Sequence, residues 1–138
     1  MGAIYKAVDN NGVVELQPIV STTDEKDIYS TSEVKTNNVW IDGRPIYRRV
    51  WTGTYNPGRY TDILPSGLVM IDITGYVRYT QDNGYRYWVI NAPQNQATNV
   101  FFASVWYNDT GFVQLESAYS ALAGCNCAII FEYAKTTD

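Results

Sequence analysis

Short runs of alternating apolar and polar residues, separated by turn sequences, are the feature that most constrains how this chain can fold. In the last run, apolar side chains occupy every second position, which places them on one face of a β-strand. Asn-Gly and Asp-Gly, each between two such runs, are strong signals for tight hairpins. No segment keeps the 3.6-residue period of a long helix. We therefore predict an all-β fold, an antiparallel β-sandwich or jelly-roll-like head, with strands near 39–41, 45–51, 68–80, 85–91, 100–107, 112–116 and 125–133.

The alternation also predicts which side chains face the core, because side chains point to opposite faces of a strand in turn. In the last strand, one face carries Cys125, Cys127, Ile129, Phe131 and Tyr133. In the strand beginning at Leu68, we expect one apolar face and one polar face. The apolar face carries Val69, Ile71, Ile73 and Val77, and the polar face carries Asp72, Thr74 and Arg78.

The chain divides into a short N-terminal part and a main domain. Asn10-Asn11-Gly12 joins two apolar runs, 4–8 and 13–16, and so predicts a hairpin. The polar stretch 21–27 is typical of a loop or linker, and Ser30 to Lys35 could form a short helical turn. We assign residues 1–35 to an N-terminal hairpin or anchor and linker, and 36–138 to the β-sandwich head.

The run from Val100 to Tyr107 differs from the others because both of its faces are apolar. It is either a central strand covered on both sides or a strand whose outer face meets a neighbouring subunit. The second alternative makes Phe102 and Trp106 candidates for a subunit contact, and a homotrimer the expected assembly.

Composition argues against most kinds of catalysis. The chain has no His, which removes the commonest general base and metal ligand, and it has no phosphate-binding loop or dinucleotide fingerprint. We expect no enzyme, no cofactor and no metal site, with Cys125 and Cys127 as buried, reduced thiols. Glycan cleavage by paired carboxylates is a minor alternative, since the candidate acids Asp62, Asp72 and Glu116 are scattered.

Charge and hydropathy limit the partners. The formal net charge of -4 lacks the basic field that attracts nucleic acid. No apolar run approaches the length of a membrane helix, and the start of the chain does not resemble a secretory signal. We therefore expect synthesis in a cytoplasm, no membrane insertion and no nucleic-acid partner.

Aromatic residues are in excess, with 12 Tyr and 4 Trp. Tyr combines an apolar ring with a hydrogen-bonding hydroxyl, which suits wet interfaces and stacking on sugars. Tyr55 and Tyr60 bracket the Asn56-Pro57-Gly58 loop, and loops commonly carry binding residues. Together with Trp51 they are our candidates for exposed glycan-binding residues. The alternative is that most aromatic side chains lie in the core or at subunit contacts.

Two segments carry a resemblance to a known family. Residues 28–35 (IYSTSEVK) with 39–49 (VWIDGRPIYRR), and the terminus 128–138 (AIIFEYAKTTD), resemble the opening and the end of C-terminal head modules of bacteriophage and prophage tail-fibre or minor structural proteins. The two segments bracket about four-fifths of the chain, and the variable middle offers no matching binding residue.

This resemblance implies a virion-exposed β-sandwich, commonly a homotrimer, with receptor binding and no enzymatic activity. Such modules usually follow a long shaft, and the short N-terminal part here favours a small virion protein anchored to other virion proteins by residues 1–27. Two functions then compete. One is a fibre or attachment head that binds host surface glycan, and the other is a capsid or head-fibre decoration protein with no ligand.

Overall fold

The computed structural model describes residues 4–10, 12–19, 28–81, 83–95, 100–101 and 103–138. Within these residues the chain forms β-strands and a single turn of 3-10 helix, η1, so the all-β prediction is confirmed. The helical turn predicted at Ser30 to Lys35 is wrong, because Val34 already begins a strand. In chain order the elements are β1 (Ile4–Asn10), β2 (Val13–Ile19), β3 (Val34–Val39), β4 (Pro45–Tyr55), β5 (Gly58–Tyr60), β6 (Leu68–Gln81), β7 (Gly84–Val89), β8 (Pro93–Asn95), β9 (Val100–Phe101), β10 (Ser104–Asn108), β11 (Phe112–Glu116), η1 (Ser120–Leu122) and β12 (Cys125–Lys135).

Two antiparallel sheets make up the head. The larger has the order β3-β4-β12-β6-β7, and the smaller has the order β10-β11-β5. The last strand of the chain, β12, is the centre of the large sheet and pairs along its length with both β4 and β6. Two further strand pairs, β1-β2 and β8-β9, form separate two-stranded sheets. The hairpin predicted at Asn10-Asn11-Gly12 is confirmed by the pairing of β1 with β2.

The two sheets form a sandwich-like, curled half-barrel, and the core lies between them. The large sheet contributes alternate residues of β12, and the smaller sheet contributes alternate residues of β10 and β11. Apolar burial of this kind stabilises each residue by about 1.5–3 kcal/mol, which makes it the main force joining the sheets. The predicted inner face of β12 is confirmed. The largest fully buried side chains include Tyr55, Ile63, Val77, Val113, Leu115, Leu122, Ile129, Phe131 and Tyr133.

The face prediction for β6 is wrong at its start because of a β-bulge. Asp72 pairs with Glu132, but the next residue of β12, Tyr133, pairs with Met70, so Ile71 is the extra residue. An extra residue reverses the alternation, and side chains before and after it reach the core from positions of opposite parity. Leu68 is therefore buried, whereas Val69 is 37% exposed.

The run from Val100 to Tyr107 is not one strand. β9 pairs with β8, while β10 begins at Ser104 and forms an edge of the smaller sheet. The alternative of a central strand covered on both faces is therefore wrong. The Asn91 side chain takes the place of a neighbouring strand on this edge, since its amide accepts from the Val105 N–H at 2.8 Å and donates to the Val105 carbonyl at 2.9 Å.

Candidate functional site

An exposed group of aromatic side chains lies on the outer face of the β6–β7 hairpin. Side chains alternate along both strands, so the paired residues Val77 and Trp88 point toward the core while their neighbours point outward. Tyr85 is 60% exposed, and the other members of the group are exposed to a similar or smaller degree. We call this group the tyrosine face; it consists of Tyr76 and Arg78 on β6 and Tyr85, Tyr87 and Val89 on β7.

Ring contacts hold the tyrosine face together. The rings of Tyr76 and Tyr87 meet edge to face, with centroids 4.9 Å apart and planes at 75°. The guanidinium carbon of Arg78 lies 3.8 Å from the centroid of the Tyr85 ring, which is a close cation–π contact. Arg78 also lies directly opposite Tyr87 in the strand register. The rings and the cation therefore contact one another in pairs across the hairpin.

Contiguity distinguishes the tyrosine face from ordinary exposed side chains. Single exposed apolar residues are common on proteins and need no explanation, but grouped ones mark contact surfaces. Tyr76 is 40% exposed, Tyr87 55% and Val89 54%, and Val89 pairs directly with Tyr76. The hairpin thus presents a continuous surface of rings, a methyl-bearing side chain and one cation.

The predicted glycan-binding residue Tyr55 is not on the surface, so the expectation that it is exposed is wrong. β4 continues through Tyr55, and the side chain points to the core face, where it is fully buried. Its hydroxyl shares one hydrogen between the main-chain carbonyls of Ser104, at 3.1 Å, and of Glu116, which joins the large sheet to the end of the β10–β11 pair in the smaller sheet. Burial raises the pKa of the Tyr55 hydroxyl to about 12.

The other two predicted glycan-binding residues, Trp51 and Tyr60, come together. Their ring centroids are 6.1 Å apart, and both side chains are half-buried and packed against the core. The Tyr60 hydroxyl donates to the Asn56 carbonyl at 2.7 Å, closing the loop between β4 and β5. These contacts give both rings a role in packing β5 onto β4.

Trp106 lies on the outer face of the smaller sheet, where it is 39% exposed. Its ring meets Phe112 edge to face at 5.7 Å, and the guanidinium carbon of Arg59 lies 3.9 Å from the Phe112 centroid. We call Trp106, Phe112 and Arg59 the tryptophan patch. Its location agrees with the predicted outward direction of Trp106, while the predicted partner Phe102 lies outside the described residues.

The two segments that carry the family resemblance meet in space. Glu33 accepts hydrogen bonds from the Tyr133 hydroxyl and from the Lys135 ammonium, so the segment before β3 is tied to the end of β12. The Tyr133 ring stacks on Tyr47 at 6.3 Å. Arg48 forms an ion pair with Glu132 at 3.6 Å. These residues therefore build the frame of the large sheet, away from the tyrosine face.

Acidic and thiol groups are also located by the structure. Asp72 lies on β6 opposite Glu132, Asp62 lies in the loop after β5, and Glu116 ends β11 beside a shallow depression of about 440 Å³. Among the described residues, no group of three His, Cys, Asp or Glu side chains could hold a metal ion. Cys127 is buried as a free thiol, and burial raises its pKa to about 11.

Sequence reasoning missed the tyrosine face although a signal was present. Tyr85, Tyr87 and Val89 alternate along β7, and Tyr76 and Arg78 share the parity opposite to Val77. Rings on the face that alternation assigns to solvent are the signal for an exposed aromatic surface.

No helix in the described part of the chain is long and apolar enough to cross a membrane. Compared with protein-family models, curated proteins and solved structures, the chain matches none.

Proposed function

We propose that this protein is an attachment head of a bacteriophage virion and that it binds a host surface glycan through the tyrosine face. Two observations support this proposal. The exposed rings of Tyr76, Tyr85 and Tyr87 on one hairpin are the observation that supports glycan binding. The segments 28–35, 39–49 and 128–138, which resemble head modules of phage fibre proteins, support the location on a virion.

The chemistry of the tyrosine face suits carbohydrate. A sugar ring has apolar C–H faces that pack on aromatic rings and hydroxyl groups that need hydrogen-bonding partners at the ring edges. Tyr supplies both kinds of contact from one side chain, and Arg78 adds a multiple donor next to the rings.

Rigidity and repetition compensate for the small contact area. β7 pairs with β6, and β6 pairs with β12, so both strands that carry the rings are part of the large sheet before binding, and we expect little ordering on binding. One flat site of this size binds weakly, and several copies on one particle raise the overall avidity. We propose a homotrimer for this reason, with the tryptophan patch as its contact surface and the N-terminal segment joining other virion proteins.

The tryptophan patch favours a second candidate function, that of a capsid or head-fibre decoration protein without any ligand. Trp106 and Phe112 present an aromatic surface on the sheet opposite the tyrosine face, which suits contact with protein. This alternative predicts no glycan binding, and it predicts that Trp106→Ala weakens assembly into particles.

Binding to arrayed bacterial surface polysaccharides separates the two functions. We expect the double variant Tyr76→Ala/Tyr87→Ala to bind at least tenfold more weakly, because hot-spot rings contribute about 1–2 kcal/mol each. Ile41→Ala is the matched control, since it removes an apolar side chain that is 91% exposed, in the turn between β3 and β4. Equal binding by the double variant, or no binding by the unaltered protein, would contradict the proposed attachment role.

A further inference from the structure

Building on the proposed function, we infer that the ligand of the tyrosine face is an acidic polysaccharide whose sugar rings carry carboxylates, with Arg78 as the carboxylate-binding residue. The first observation is the place of Arg78 within the face. It lies directly opposite Tyr87 in the strand register and two residues from Tyr76 on β6, and its guanidinium carbon lies over the Tyr85 ring, so the cation belongs to the tyrosine face.

The state of the Arg78 guanidinium is the second observation. Its guanidinium carbon lies 3.8 Å from the Tyr85 centroid, and a guanidinium carries five N–H donors. Among the residues that the structure describes, no carboxylate forms an ion pair with Arg78. The contact with the Tyr85 ring restrains the Arg78 side chain but does not neutralise its positive charge. A restrained guanidinium can bind a carboxylate through two parallel hydrogen bonds.

Charge along this side of the sheet is the third observation. The acidic residues Asp72 and Glu132 lie opposite each other in the register of β6 with β12. They are six residues along these strands from the opposed residues Arg78 and Asn126. At the rise of a strand this separation is roughly 20 Å, about two and a half Debye lengths at physiological salt. Arg78 is the one charged residue of the tyrosine face as defined above, and the Asp72–Glu132 position lies well outside that face.

The short distance between Arg78 and Tyr87 favours a ligand whose carboxylate is on the sugar ring over one whose charged group links two sugar units. Side chains that are directly opposite across two strands have Cβ atoms about 4.5–5.5 Å apart. A uronic acid bears its carboxylate on the carbon attached to the ring. When such a ring packs on Tyr87, its carboxylate falls within reach of Arg78, and one sugar unit satisfies both contacts.

The test measures binding of the purified protein to immobilised polygalacturonate, alginate and hyaluronate, each compared with the same polymer after reduction of its carboxyl groups. We expect binding to at least one acidic polymer, and at least tenfold weaker binding to its reduced form, because a charged hydrogen bond contributes about 1.5–3 kcal/mol. Arg78→Gln should produce the same loss, and Arg78→Lys an intermediate loss, since Lys keeps the charge without the planar fork.

Arg86→Gln is the matched control. Arg86 lies on β7 in the same hairpin but points to the opposite side, with its guanidinium over the Trp88 ring. The change in net charge is identical, so unaltered binding by Arg86→Gln shows that position on the face matters. A melting curve for each variant checks that the head remains folded.

Four results would overturn this inference. Equal binding to acidic and reduced polymers would reject carboxylate recognition while leaving glycan binding by the tyrosines in place. Equal losses for Arg78→Gln and Arg86→Gln would reject Arg78 as the carboxylate-binding residue. If the protein binds neutral glycans on the array but no acidic polymer, the acidic ligand alone is rejected. If it binds no glycan at all, the proposed function is rejected as well.

Discussion

Gly75 is the position where one added methyl group should damage the fold most. It lies within β6 opposite Ile129 of β12, at the centre of the large sheet, with φ at +133°. A Cβ atom at this position would stand 2.1 Å from the Ala128 carbonyl oxygen and 3.0 Å from the Ile129 Cα. Both contacts are with main chain in the central strand, so no side-chain rotation can relieve them.

The expected loss has two parts. An L-residue at a backbone conformation that glycine favours costs about 1–3 kcal/mol. Relieving the contact requires β6 and β12 to separate by roughly 1 Å, and overpacking of this kind costs about 1–3 kcal/mol more. We therefore expect Gly75→Ala to lower the free energy of unfolding by about 2–6 kcal/mol, which lowers Tm by about 8–24 °C in a domain of this size.

Gly43→Ala is the control that separates the two parts. Gly43 has φ at +87° in the turn between β3 and β4, and a Cβ there would meet nothing within 4 Å. Gly43→Ala should lose only the part that comes from backbone conformation, about 1 kcal/mol in the free energy of unfolding or about 4 °C in Tm. Thermal unfolding followed by circular dichroism compares the two variants, and a Gly75→Ala curve that coincides with that of Gly43→Ala would refute the steric argument.

Three further changes probe the frame of the fold. Tyr55→Phe removes a hydroxyl that donates to two main-chain carbonyls, so urea unfolding should show a loss of about 1–2 kcal/mol in the free energy of unfolding. The control Tyr60→Phe should lose less than half of that. Similar losses in the two variants would be inconsistent with the sheet-bridging role of Tyr55. Glu33→Gln weakens the contacts between the segment before β3 and the end of β12 and should cost about 1 kcal/mol in the same assay, whereas no loss would mean that these contacts are dispensable. The free energy of unfolding should fall as pH rises from about 9 toward 11, because the Cys127 thiol stays protonated in the fold while the unfolded thiol ionises. Urea midpoints measured across that range should depend less on pH in Cys127→Ala. An unchanged pH dependence in this variant would count against the linkage.

The candidate surface shows how far local patterns reach. The rings of Tyr85 and Tyr87 could be assigned to the solvent side of a strand from alternation alone. Their meeting with Tyr76 depends on the register of β6 with β7, which the turn and both strands set together. The choice of Tyr55 failed for a related reason: β4 is four residues longer than its apolar run indicated, and the residue expected in a loop became part of the core.

The sequence by itself determined the all-β class, the hairpin turns and the inner face of β12, because side-chain alternation and turn chemistry are properties of neighbouring residues. Only the tertiary structure decided the bulge at Ile71, the edge position of β10 and the meeting of Glu33 with Lys135. Each of these depends on which strand lies next to which, and strand neighbours are selected by the joint burial of residues far apart in the chain. The same long-range pairing placed Arg78 beside Tyr87, which gives the outer face of this head its chemistry.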